Sequence, residues 1–212
     1  MLLLEFKMKS LNNKKNYKSN MTKISQNWLD VLIPFSYEYN KKFSGSEISR
    51  LVKLPQKSTS RYLNKLVLLG ILNLEKKGNS NFYYLDLGDE KISIILNLVE
   101  SYKSFLFSQN NFLWKDLKEL MRFGTFILFG SQVKGYSNEK SDIDLVIFSK
   151  NTEKLKEKLR QIPNIQAQVI TFNNFEKLVF KKDVLALEIL KNHVIFGNFG
   201  GFINLVKRFY NG

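Results

Sequence analysis

The chain has 212 residues, 44% hydrophobic and 14% aromatic, a composition that excludes a disordered chain and allows one large or two small cores. With no cysteine, a disulfide framework and a thiolate metal site are excluded, and a formal net charge of +14 favours polyanionic partners. The excess is spread evenly, with 17 basic against 9 acidic residues up to Asn110 and 16 against 10 beyond it, so lysine-rich composition alone could produce it.

No apolar run approaches the roughly 20 residues of a membrane helix. The opening MLLLEF is too short for a signal peptide, so the expectation is a cytoplasmic protein with no membrane partner. Residues 1–23 hold six lysines and one glutamate with little periodicity after Leu11 and read as a flexible basic tail. Met8 and Met21 are alternative starts.

Residues 24–88 form the first predicted unit. QNWLDVLIPFSYEYNKKF reads as a helix with Trp28, Leu29, Leu32 and Ile33 on one face, bent at Pro34. Ser44 and Glu47 make a capping box for a short helix through Leu51 and Val52. After Leu54-Pro55 comes a helix with Thr59, Leu63, Leu66 and Val67 as its apolar stripe and Gly70 as its stop. ILNLEKKGNSNFYYLDL then alternates on either side of Gly78-Asn79, a hairpin signal. Helix, helix, turn, helix, hairpin is the order of a winged helix-turn-helix, and STSRYLNKLVLLGIL resembles the recognition-helix segment of winged-helix regulators. Gln56, Lys57, Ser60, Arg61 and Asn64 lie off the apolar stripe and are candidates to read base edges of double-stranded DNA. Lys76 and Lys77 at the hairpin tip are candidates for phosphates. Winged helices also serve as protein-interaction modules, and that alternative stays open.

Residues 89–122 read as a helical connector, broken near Gln109 to Asn111, with an apolar face suited to a second copy in a homodimer. From residue 123 to 212 the pattern changes to strand and helix in alternation: TFILFG, SDIDLVIFS, TEKLKEKLRQI, NIQAQVITF, NNFEKLVF, DVLALEILKN, HVIFG. The expected architecture is therefore two-domain α+β, with a C-terminal small mixed sheet flanked by helices. Trp28 and Trp114 belong to apolar helical patterns, the lone His193 is expected to pack, and EKLKEKLR is a solvated face.

Within GSQVKGYSNEKSDIDLVIF, Asp142 and Asp144 fall two apart on a strand, roughly 6.6–6.8 Å along the chain and on one face. Paired carboxylates repel, and Mg²⁺ relieves the conflict because it accepts carboxylate oxygens together with water and substrate phosphate. Upstream, Gly130 allows close backbone approach to a phosphate, and Ser131 adds a hydroxyl at the start of a short helix. No Gly-Lys-Ser/Thr follows, so this is not a P-loop.

LFGS followed by DIDLVIF resembles the signature of the DNA polymerase β-like nucleotidyltransferase superfamily, and GSQVKGYSNEKSDIDL its minimal nucleotidyltransferase (MNT) subgroup. Lys134 stands where an arginine is common, and DVLALEILKNHVIFG is similar to the subgroup's closing helix and strand. The resemblance, over about residues 123–198, implies Mg²⁺-dependent transfer of a nucleoside monophosphate from ATP or another NTP to an acceptor hydroxyl. Asp142 and Asp144 would be catalytic and metal-binding, and Gly130, Ser131 and Lys134 nucleotide-binding. Many minimal members act as antitoxins that add AMP to a HEPN toxin partner. The family's third carboxylate, on the next core strand, aligns with Gln168, which cannot accept a proton from a nucleophile at neutral pH. The nearest downstream acids, Glu176 and Asp183, fall in predicted helices.

Three functions follow from this reading. The first is a DNA-binding protein with a working transferase, an antitoxin and autoregulator. The second is a non-enzymatic transcriptional regulator whose transferase domain only binds nucleotide or mediates dimerisation. The third is a transferase that modifies a polynucleotide.

Overall fold

The first helix, α1 (Gln26–Leu32), stops where Pro34 forces a 3-10 turn over Ile33–Ser36. It buries Trp28, Val31 and Leu32, with Phe35 completing the face; Leu29 and Ile33 pack only partly, so the stripe is rotated from the predicted one. The computed structural model containing it describes residues 25–134, 141–150 and 152–212. The expected tail at 1–23 and residues 135–140 of the Gly-Ser/Asp motif lie outside these.

A two-residue strand β1 (Phe43–Ser44) leads into α2 (Gly45–Val52), capped as its sequence requires. The Glu47 N–H donates to Ser44 Oγ at 3.2 Å and the Ser44 N–H to Glu47 Oε2 at 3.2 Å. Lys53, left-handed at φ 54°, turns the chain through Leu54-Pro55 into α3 (Gln56–Leu68). Thr59, Leu63 and Leu66 are buried along α3, each leucine stabilising by about 1.5–3 kcal/mol relative to exposure. β2 (Asn73–Lys77) and β3 (Ser80–Tyr84) pair antiparallel with Lys77 opposite Ser80, and Gly78 at φ 57° opens the two-residue turn. β1 joins on the far side of β3, giving the order β1-β3-β2.

The helix α4 (Glu90–Asn110), about 31 Å long by its rise, buries Ile92, Leu96, Val99, Glu100, Lys103 and Ser104 along one side. It ends near the predicted break and is followed by α5 (Trp114–Leu117) and a 3-10 turn over Lys118–Arg122. Trp114 stacks on Phe196 with ring centroids 4.9 Å apart.

The second sheet follows the predicted alternation. Its elements are β4 (Thr125–Phe129), α6 (Ser131–Lys134), β5 (Ile143–Phe148), α7 (Glu153–Arg160), β6 (Ile165–Ile170), α8 (Phe172–Phe180), α9 (Val184–Lys191) and β7 (Val194–Phe196). The order is β6-β5-β4-β7, parallel only between β5 and β6, where α7 supplies the crossover. One face carries Phe126, Leu128, Ile143, Leu145, Ile147, Val194 and Phe196 into a core shared with Leu117 and Leu155. The other carries Ile127, Phe129, Val146 and Ile195 into a cluster that continues through Phe175, Ile189 and Phe202 to Trp28, Phe35 and Leu63 of the N-terminal unit. The chain is thus a mixed α+β protein, with ten helices among the described residues. One helix has no counterpart in the sequence reading: α10 (Phe199–Asn211) buries Phe202, Ile203, Leu205 and Val206 and ties Lys207 Nζ to Ser93 Oγ at 2.9 Å. No helix among the described residues is long and apolar enough to cross a membrane.

Candidate functional site

Alternation in β5 decides where the acids go. Ile143 and Leu145 are buried on one side, so Asp144 faces the other, half-exposed, in register with Phe129 of β4. β4 ends there, and the chain leaves it through Gly130 in a left-handed conformation, φ 72°. A Cβ at residue 130 would overlap Asp144 Oδ2, so only glycine lets the turn pass over this carboxylate. The Gly-Ser bend and the second aspartate are therefore in contact, and Asp142, exposed, is near enough to act on Asp144. Burial raises the Asp144 carboxyl above the usual carboxylate range, and the negative charges of Asp142 and Glu188 push it the same way.

Ser131 opens α6, which has only four residues, so the bend offers a hydroxyl and a glycine backbone more than a helix terminus. Gln132 is buried between bend and strand, its Nε2 donating to the Asp142 carbonyl at 3.4 Å while its Oε1 has no hydrogen-bond partner among the described residues. Lys134 closes the turn, its backbone N–H donating to the Gly130 carbonyl at 3.2 Å and its Nζ lying 2.6 Å from Glu188 Oε1 on α9.

Gln168 is exposed on β6, but the parallel register sets it opposite Val146; Gln166 is the residue opposite Asp144. Both β6 positions beside the acid strand, 166 and 168, hold glutamine. Asp183 caps α9, accepting from the Ala186 N–H at 3.0 Å, and Glu176 pairs with Arg208 at 2.5 Å, so the nearest downstream acids are engaged elsewhere. Glu188 was missed by the sequence reading: 54 residues separate it from Lys134, and no local spacing links them.

A magnesium ion takes one or two carboxylates and fills its remaining positions with water and substrate phosphate. Asp142 and Asp144, acceptor-only and mutually repelling, fit that demand. No group of three or more His, Cys, Asp or Glu among the described residues is placed to hold a metal by itself.

The N-terminal candidates separate into two surfaces. Gln56, Lys57, Arg61 and Asn64 are exposed along α3 and Ser60 is half-buried; Asn64 Oδ1 accepts from the Tyr83 hydroxyl at 2.9 Å. Gln56 and Ser60 line a polar cleft with Ser46, Asn79 and Asn81, so α3 and the hairpin border one groove. Lys76 and Lys77 are both exposed, and Lys77 Nζ lies 3.2 Å from Glu75 Oε1. A larger cleft of about 540 Å³ lies between Pro34, Tyr37, Leu51 and Lys191 and includes none of the acid-site residues.

The lone histidine is not simply packed. His193, Glu100 and Lys103 form a buried ionic cluster between α4, the first 3-10 turn and the start of β7. His193 Nε2 lies 3.1 Å from Glu100 Oε2 and 3.2 Å from Lys103 Nζ, and Lys103 Nζ donates to Glu100 at 2.9 Å and to Ser36 Oγ at 3.1 Å. The Tyr39 hydroxyl donates to Glu100 Oε1 at 3.2 Å. Burial pushes the Glu100 carboxyl up, but Lys103 and His193 outweigh it and hold it at about 2. The charged i,i+3 pair at 100 and 103, set among apolar positions of α4, was the signal available in sequence.

Comparison with curated proteins gives no match. A crystal structure of human N-acetylserotonin methyltransferase aligns at 15% identity over 45% of this chain and 30% of that one, with a TM-score of 0.29. The chain thus spans under a third of that protein, and so weak a likeness carries no argument. The match that bears on the site begins inside α5, eight residues before the domain start expected from the sequence, and takes in the glycine-serine bend, both aspartates, Lys134 and Glu188: residues 115–198 match the family described as Polymerase beta, Nucleotidyltransferase.

Proposed function

We propose that the chain transfers a nucleoside monophosphate, AMP in the first instance, from an NTP to a protein hydroxyl, and that its N-terminal unit is a winged helix bound to double-stranded DNA. The contact between Gly130 and Asp144, with Asp142 beside it, carries the transferase reading. A divalent cation bound there would neutralise developing charge on the phosphates and activate the attacking hydroxyl. Asp142 and Asp144 supply its protein oxygens. Gly130 brings backbone close to the phosphate chain, and Ser131 and Lys134 donate to its oxygens. An antitoxin acting on a HEPN-type toxin, and repressing its own operon, is the biological form this reading takes. The cell compartment proposed is the cytoplasm. A homodimer is part of the same proposal. Ile94, 72% exposed, and Phe105, 57% exposed, flank Leu98 on the outer side of α4 and are the residues a second copy would cover.

For DNA, support comes from the exposed polar row on α3 beside the hairpin, with Lys76 free to meet phosphate. The log of affinity should then fall by about 0.9 per tenfold rise in salt for each phosphate neutralised. Binding indifferent to salt would remove this limb.

A non-enzymatic regulator is the second reading, and the glutamines on β6 favour it, since neither Gln166 nor Gln168 can serve as a base. One experiment separates the two. The chain is incubated with labelled ATP and Mg²⁺, with and without a HEPN-type partner, beside Asp142→Ala, Gln166→Asp and Gln168→Asp. Transfer that Asp142→Ala abolishes supports the enzyme. Label that appears only after a Gln→Asp change supports the regulator. Label on RNA, not protein, would point to a polynucleotide substrate.

A further inference from the structure

We infer that Glu188 competes with the substrate's phosphates for Lys134, so that the site holds its own counter-anion until a polyphosphate displaces it. The inference rests on the nucleotidyltransferase reading of the acid site and adds a regulatory element to it. Lys134 is fixed by backbone: its N–H donates to the Gly130 carbonyl, which places its side chain one turn from the bend and from Ser131. Glu188 is fixed by packing, because Ala186, Ile189 and Leu190 of α9 are buried and leave the 188 side chain directed away from the core. The two meet at 2.6 Å with side chains 38% and 36% exposed.

That exposure decides the direction of exchange. A solvent-accessible Lys–Glu pair contributes about 0–1 kcal/mol, whereas a triphosphate brings several negative charges and more than one acceptor oxygen to the same ammonium. Lys134 therefore exchanges one carboxylate for phosphate at small cost.

Isothermal titration of the full chain with ATP and with inorganic triphosphate, each with Mg²⁺, tests this. Glu188→Gln should tighten both Kd values about 2–5-fold, the factor equivalent to an exposed ion pair, and Glu188→Ala should shift them the same way. In a Lys134→Met background, Glu188→Gln should give no tightening. An unchanged or weakened Kd in the single variants, or equal tightening without Lys134, overturns the competition while leaving the nucleotide site standing. A native chain that binds neither probe, at any Mg²⁺ concentration, overturns the nucleotide reading and the competition with it. Thermal melting of each variant identifies any that fail to fold; because Glu188 is exposed, melting within a few degrees of the native chain is expected.

Discussion

Two carboxylates in this chain sit in opposite circumstances. Glu100 is completely buried yet held at a pKa of about 2, because Lys103, His193 and Tyr39 all converge on it. Asp144 is only half-buried, yet its pKa is raised, first by that burial and then by the negative charges of Asp142 and Glu188, with no cation among the described residues set against them. The first has its counter-charge built in and joins α4 to the turn at Ser36 and the start of β7. The second has none among the described residues, an arrangement that water, a cation or a ligand can complete. The contrast separates an acid that holds the structure together from one placed to bind.

The strongest way to break that contrast is Glu100→Gln. It leaves Lys103 buried without the carboxylate that supports its charge, and should destabilise by about 3–5 kcal/mol in urea denaturation. A loss under 1 kcal/mol would mean the cluster is not a structural tie. Acid should expose the same cluster in the native chain. His193 stays neutral because burial lowers its pKa, so below the ordinary value of 6.5 the unfolded chain takes up a proton the folded one refuses, and stability falls. Glu100 extends the decline: its contribution is full above 4.5 and disappears as pH drops toward 2. Thermal melting from pH 8 to 3 should therefore show a steady fall beginning near 6.5, and His193→Phe should flatten its upper part.

Gly130→Ala tests the close approach at the acid site. The left-handed backbone alone costs roughly 1–2 kcal/mol for a residue with a Cβ, and overlap with Asp144 adds to it. Gly70→Ala is the control, since φ is 66° there and nothing lies within 4 Å of an added Cβ. Gly130→Ala should cost more than Gly70→Ala and abolish Mg²⁺-dependent ATP binding; equal costs would mean the carboxylate can move aside. The smallest effect on stability belongs to Asp144→Asn. Removing one of two repelling charges should leave stability within about 0.5 kcal/mol of native or raise it, while ATP binding with Mg²⁺ is lost. A large destabilisation would place Asp144 among the structural acids.

Local rules were sufficient for much of the chain. The capping box at Ser44 and Glu47, the turn at Gly78, the bend at Pro34 and the strand alternation of IDLVIF depend on neighbours a few residues away, and each formed where the sequence placed it. The Gly130–Asp144 pairing was legible for a related reason: a short motif with fixed spacing implies a turn and a strand that must meet. What pairs across long separations was not legible. Gln166 and not Gln168 stands opposite Asp144 because the parallel register of β5 and β6 is fixed by sheet packing, which the sequence of either strand leaves free. Lys134 finds Glu188, and Glu100 finds His193, across 54 and 93 residues, where charge and geometry act only after the chain has folded. α10 hid for the opposite reason: its glycines at 200 and 201 weaken the local helical signal, and the stabilisation comes from burying Phe202, Ile203 and Val206 against the rest of the molecule. The sequence by itself determined the elements up to β7 and the motif; the tertiary structure alone decided the closing helix and which charges are neutralised, because burial and a counter-ion are matters of distance in space and not along the chain.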